Sequence, residues 1–146
     1  IAMTDFWKNW LRLWAWGVVI FGVVLSSGAF AATDSVVRPI FDLLGNPFPD
    51  QPDPHHRFSL GLMGAVSIGW GMTLLGMCNA VFKLSREDAA PFWRAVLVAT
   101  IIWYVIDGYI SYATGFELNI VSNTLLLLFL LIPLLKTGAL QGAGTD

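Results

Sequence analysis

The chain has 146 residues, of which 56% are apolar and 12% charged, with a mean hydropathy of +0.68, and this places it among integral membrane proteins. A net charge of −2 with no basic patch excludes a nucleic-acid partner, because nothing is present to neutralise phosphates. A single cysteine, Cys78, excludes an internal disulfide framework and any cysteine-based zinc motif.

From Phe6 to Trp16 the residues FWKNWLRLWAW set Trp7, Trp10 and Trp14 at spacings of three and four, with Lys8 and Arg12 between them. Indole rings favour the headgroup level and long cationic side chains snorkel to it, so the stretch reads as an interfacial anchor, with a tryptophan ladder facing a partner or pigment as the alternative. A first span is expected over residues 11–31, and Gly17, Gly22, Ser26, Ser27 and Gly28 allow another helix to approach it closely. Its end, Ala29-Phe30-Ala31, also has the small-residue pattern of a signal-peptidase site; the run is read here as a retained span.

Residues 32–57 form a connection too long for a simple turn. Thr33 or Asp34 is expected to cap a short helix with Val36, Val37, Ile40, Phe41 and Leu44 on one side, Pro39 in its first turn and Gly45 as its stop. An extended, proline-punctuated stretch follows from Asn46 to Pro54. The apolar side of the short helix has no core of its own, so it is expected to lie on the membrane surface or over the bundle mouth as a lid. His55 and His56, shortly after Asp50 and Asp53, are the chemically sensible ligand types for a divalent metal. Adjacent histidines rarely converge on one centre, so these four are weak candidates and a solvated loop is the expectation.

A second span is expected over residues 58–82, where Gly61, Gly64, Ser67, Gly71 and Cys78 make a face of small residues. That face either receives a neighbouring backbone or leaves room for a lipid tail, a quinone or a carotenoid. Cys78 reads as a small buried hydrophobe. After the charged connection Lys83 to Asp88, Pro91 is expected in the first turn of a third span over residues 92–116.

Helical spacing puts Thr100, Tyr104, Asp107, Ser111 and Thr114 on one face of that span. A carboxylate near mid-bilayer costs roughly 2.5–3.5 kcal/mol on insertion scales, so Asp107 needs a partner or water. A hinge is expected at Phe116-Glu117-Leu118-Asn119 and a fourth span at 120–135, opening with Ser122, Asn123 and Thr124. At about 1.5 Å per residue, Asp107 lies about 15 Å and Asn123 about 9 Å from Glu117, so a direct bond between them requires stagger or a bridging water. Asp107, Asn123, Tyr104, Ser111 and Ser122 are the candidate site, either as polar glue between helices or as a ligand or proton site. Pro133 falls near the end of the span, where a lost backbone bond costs least, and the tail 136–146 is expected to be loose.

The fold expected is therefore an all-α, four-transmembrane-helix bundle in one membrane domain, with a long extracytoplasmic loop between helices 1 and 2. One side holds Lys8, Arg12, Lys83, Arg86, Arg94 and Lys136 and the other only Arg38 and Arg57, which puts both termini in the cytoplasm. The last two spans, with Trp103-Tyr104 ahead of Asp107 and Asn119 ahead of Ser122-Asn123-Thr124, resemble patterns in small bacterial membrane proteins, which implies a bacterial inner membrane and no particular activity. There is no phosphate-cradling glycine loop, no HExxH, no CxxC and no histidine inside a span, and one buried carboxylate alone is a poor active site. The expected role is a non-enzymatic accessory or assembly subunit, or a bundle holding a hydrophobic ligand. Its partners would be lipids and a larger membrane complex or further copies of itself. The alternative is a homo-oligomeric channel or small transporter using Asp107, and a membrane enzyme ranks behind both.

Overall fold

A computed structural model describes residues 3–142. Its elements are α1 (Asp5–Ser27), a 3-10 turn (Asp34–Val36), α2 (Arg38–Leu43), α3 (Pro54–Val81), α4 (Arg86–Ala113) and α5 (Glu117–Lys136), with no strand among the described residues. The four long helices α1, α3, α4 and α5 are each, by length and composition, apolar enough to cross a membrane. They form an up-down bundle, with the start of α1 and the end of α5 at one end (the terminal end) and the α1–α3 connection at the other (the loop end).

Every long helix starts earlier in the chain than the run of residues expected to cross. At α3 and α4 the reason is a local cap. At α3, Asp53 accepts the backbone N–H of His56 at 2.9 Å and Pro54 occupies the first turn, so His55, His56 and Arg57 are helical rather than loop residues. At α4, the Ser85 hydroxyl oxygen accepts the Asp88 N–H at 3.2 Å and donates to the Asp88 carboxylate at 2.6 Å. The helix thus begins at Arg86 and Pro91 sits inside it, not at its start. Helix α1 ends at Ser27, leaving Gly28 to Ala31 in turns.

Helices α1 and α3 approach backbone to backbone. A Cβ placed on Gly22 would lie 2.7 Å from the Ile68 nitrogen and 2.8 Å from the Gly64 oxygen, and one on Gly71 would lie 2.9 Å from the Val19 nitrogen. Packing this close replaces the hydrophobic drive that water would supply. The small face of α3 is therefore filled by α1 rather than left open at Gly64 and Gly71.

The main core lies toward the terminal end and draws on all four long helices. Leu11 and Trp14 of α1, Leu74 and Cys78 of α3, Trp93 of α4, and Leu130 and Leu134 of α5 are all buried there. Trp10 and Trp14 do not serve only as headgroup anchors: their indole N–H groups donate to α5 carbonyls, Trp10 to Phe129 at 2.7 Å and Trp14 to Leu126 at 3.1 Å. Pro133 explains the first of these bonds. It has no N–H to give back to the carbonyl four residues earlier, which is that of Phe129, and Trp10 supplies the missing donor while stacking on the Phe129 ring at 4.1 Å.

The described part of the tail is held, contrary to the expectation of a loose segment. Ala139 is buried, Arg94 Nε donates to the Leu140 carbonyl at 2.7 Å, and Arg86 Nη2 donates to Gln141 Oε1 at 2.8 Å. The last four residues of that expectation lie outside the described residues.

Replacing Trp10 by Phe keeps the stack but removes the donor, and is expected to destabilise the protein in detergent by about 1–3 kcal/mol, the cost of orphaning a buried acceptor. In a Pro133→Ala background, where the restored backbone N–H at that position can serve the Phe129 carbonyl, the same change should cost measurably less. Equal losses in the two backgrounds, read from denaturant titrations, would contradict this account of Trp10.

Candidate functional site

The turn from α4 to α5 builds the site. Gly115 at φ +82° ends α4, with the Phe116 N–H bonded to the Ser111 carbonyl at 2.8 Å and the Gly115 N–H to that of Tyr112 at 3.4 Å. This left-handed helix stop satisfies the last carbonyls and lets α5 start at Glu117 without a long hinge. Asn119 is consequently a helical residue of the first turn of α5, not part of a hinge.

Asp107 Oδ1 accepts three hydrogen bonds: Asn123 Nδ2 at 2.5 Å, Asn119 Nδ2 at 2.8 Å and Ser111 Oγ at 3.3 Å. The contact between Asp107 and Asn123 is direct and needs no bridging water, in contrast to the distances expected from the sequence. Asn119 Nδ2 also donates to Ser111 Oγ at 2.9 Å. Ser122 lies beside the cluster, donating to the Asn119 carbonyl at 2.9 Å and reaching Asn119 Oδ1 at 3.3 Å, which turns the amide nitrogen of Asn119 toward Asp107. Asn123 and Ser111 are buried, and Asp107 and Asn119 are half-buried.

Tyr104 stands one turn away and makes a separate link between α4 and α5. Thr124 Oγ1 donates to the Ile120 carbonyl at 2.7 Å, so in its 2.9 Å contact with the Tyr104 hydroxyl it acts as the acceptor. Thr100 and Thr114 share the polar face but return their hydroxyls to the carbonyls of Val96 and Ile110 within α4. Of the five expected site residues, Asp107, Ser111 and Asn123 meet, Ser122 supports them, and Tyr104 is apart. Asn119 is the member that sequence reasoning misses.

Around Asp107 every donor is an amide or a hydroxyl, so the cluster offers no neighbouring acid or base with which to pass a proton. Its evident chemistry is clasping, with each such contact contributing about 0.6–2 kcal/mol within a membrane.

A second cluster, at the loop end, has no counterpart in the sequence analysis. Asp34, buried to 6% residual exposure, accepts Arg38 through Nε at 3.1 Å and Nη2 at 3.2 Å, and accepts Arg57 Nη2 at 3.1 Å. Arg57 Nη1 also donates to the Gly28 carbonyl at 3.1 Å. One carboxylate thus ties the end of α1, the 3-10 turn, α2 and the start of α3 together. The hydrogen bonds from Arg38, then Arg57, hold its carboxyl below the usual carboxylate range. Neither Asp34 nor Thr33 caps the short helix through its side chain.

This lock seats Val37 and Phe48 against Leu25 and Leu60, so the connection does pack over the end of the bundle. It reaches the α4–α5 turn as well, where Asn46 Nδ2 donates to the Gly115 carbonyl at 2.6 Å and Phe41 meets Phe116 edge-on at 6.2 Å.

Three of the four weak metal candidates are otherwise engaged, and the fourth, His55, is exposed. Asp53 caps α3, Asp50 lies 3.9 Å from Arg38, and the His56 ring packs on Phe48 and Phe41. Among the described residues no group of three or more His, Cys, Asp or Glu side chains is gathered to hold a metal ion. Compared with family models, curated proteins and solved structures, the chain matches none.

Two measurements test these clusters. Removing the donor with Asn123→Leu should destabilise the protein by about 1–3 kcal/mol, and in an Asp107→Leu background it should be close to neutral, because no stranded acceptor is left. For the loop lock, the carboxyl of Asp34 is lowered on folding, so its stabilisation is complete at neutral pH and is lost as pH falls below roughly 4. Protease sensitivity of residues 28–53 should therefore rise on acidification, and Asp34→Asn should make the loop sensitive at neutral pH too and flatten that rise.

Proposed function

We propose that the protein is a non-enzymatic subunit of a bacterial inner membrane, with both termini in the cytoplasm, that packs against a larger membrane complex as an accessory or assembly component. The observation that carries the reading is that Asp107, the one carboxylate deep within the long helices among the described residues, is clasped by Asn119, Asn123 and Ser111 of its own chain, none of which titrates. A group spent in this way holds helices together and is poorly placed to turn over a substrate.

The charges support the stated orientation. At the loop end Arg38 and Arg57 are paired with the carboxylates of Asp34 and Asp50, whereas at the terminal end Arg12, Arg86 and Arg94 are bonded to amide or carbonyl oxygens of Asn79, Gln141 and Leu140. The uncompensated positive charge therefore gathers with the termini, as it does on cytoplasmic faces. For the partner-facing side, α3 offers Gly69 and Gly76 pointing away from the bundle, where an added Cβ would meet nothing. A partner helix can approach closely along that flank.

Gentle extraction from native membranes, followed by crosslinking and mass spectrometry, should recover a partner chain in fixed stoichiometry. A Gly69→Leu, Gly76→Leu variant should keep the thermal stability of the isolated chain and lose that partner. Recovery of a lone monomer under the same conditions would defeat the proposal. Reconstitution into sealed vesicles gives the other arm: ion or proton flux that Asp107→Asn abolishes would replace the accessory reading with that of a homo-oligomeric channel or transporter.

A further inference from the structure

A cavity of about 220 Å³ opens at the terminal end, between the start of α1, the α3–α4 turn and the end of α5. Its walls divide by chemistry. Phe82 and Trp93, with ring centroids 5.8 Å apart, form an apolar floor, and Lys8 and Arg86 stand at its sides. Arg86 gives Nε and Nη2 to the carbonyl and side-chain oxygens of Gln141, which are neutral, and Nη1 has no partner among the described residues. Among the described residues Lys8 has an acidic partner only in Asp5, 3.6 Å away on a carboxylate that is 94% exposed, and such a pair contributes little. Glu87 and Asp88 stand in the same first turn of α4, but Asp88 is occupied by the Ser85 hydroxyl.

We propose that this cavity binds the phosphate group of an anionic membrane phospholipid, with Arg86 and Lys8 as its cationic walls and Phe82 and Trp93 as its floor. Three features select a lipid over a soluble anion. The cavity sits at the ends of membrane-crossing helices, which is headgroup depth. Its floor is aromatic, which suits the neck of a glycerolipid and does nothing for a hydrated ion. Its volume falls below the roughly 300–1,000 Å³ of sites that enclose whole small molecules, and suits one headgroup whose acyl chains stay outside in the bilayer. Basic pockets between helices on the cytoplasmic side are a recurrent solution for anionic headgroups, and the cation count at this end matches that setting. The proposal does not depend on the accessory role, because a lipid site is equally compatible with a channel.

The full-length chain, reconstituted in phosphatidylcholine containing a minority of phosphatidylglycerol, is released into mild detergent and weighed by native mass spectrometry. The wild type should retain phosphatidylglycerol in preference to phosphatidylcholine. Lys8→Gln and Arg86→Gln should each weaken retention about fivefold, the factor equivalent to the ~1 kcal/mol that one basic side chain contributes near an anionic surface. Arg86→Lys should keep most of it, and Lys136→Gln, which removes a cation from the same end but not from the cavity, should leave it unchanged. Because Arg86 also holds the tail, the Lys8 variant carries the test if Arg86→Gln misfolds. Equal retention by wild type and both Gln variants, or no preference for phosphatidylglycerol, overturns the proposal. So does inorganic phosphate that displaces the lipid and binds the detergent-solubilised protein on its own, since that would assign the cavity to a soluble anion.

Discussion

A polar atom in hydrocarbon has no water to fall back on, and this constraint shapes the protein more than any apolar contact does. An unmet backbone or side-chain group there costs several kcal/mol, so each one must be answered from within the chain. Among the described residues, no buried side-chain nitrogen or oxygen is left without a hydrogen-bond partner. The answers come in matched pairs. Pro133 frees the Phe129 carbonyl and Trp10 takes it; α4 carries Asp107 and α5 returns two amides to it.

Those pairs also define how the helices are ordered. Two indoles that donate to α5 carbonyls fix the depth of α1 against α5, because moving α1 along its axis by one residue, about 1.5 Å, would break both bonds together. Apolar packing alone sets depth weakly, since one leucine contact resembles the next. The glycines set a different quantity, namely distance: where Gly22 meets Gly64 there is no room for a side chain on either helix, and α1 and α3 lie as near as backbones allow. Hydrogen bonds therefore fix register between α1 and α5, and small residues fix spacing between α1 and α3.

Much of this is legible in the sequence, and the parts that are not share a cause. Four long apolar runs, the inward face with Asp107 and the glycine face of α3 follow from composition and helical period. The direct bond from Asn123 to Asp107 does not, because sequence reasoning runs the third span on to residue 116 and so sets Asp107 too far from the turn. Helix α4 ends at Ala113 and α5 begins at Glu117, so Asp107 lies six residues before one end (113 − 107) and Asn123 six after the other start (123 − 117). In an antiparallel pair those two positions face each other, about 9 Å below the turn on each side. The signal is present at Gly115, a helix stop that calls for the next helix almost at once. Trp10 reads as an anchor because tryptophan at a span's edge is ordinary. The residue that gives it another task, Pro133, lies 123 positions away (133 − 10), and no periodicity links them. The same holds for Arg57, which reaches Asp34 from 23 residues on, whereas the Asp34–Arg38 spacing of four is open to view.

The two ends of the bundle are consequently built on different principles. Toward the terminal end, side chains from all four long helices bury one another in a single core. Toward the loop end, the smaller cluster of Leu25, Val37, Phe48 and Leu60 draws only on α1, α3 and the connection between them, and neither α4 nor α5 contributes a buried residue to it. There the α4–α5 hairpin is closed on itself by Asp107 and its amides, and joined to the rest through Asn46 on the Gly115 carbonyl and Phe41 on Phe116. A packed core resists displacement in every direction, while a few hydrogen bonds and one ring contact resist it only along their own lines. The loop end is therefore where the two helix pairs can part with least loss of contact, and Asp107 and the α1–α3 connection are the two features stationed on either side of that seam.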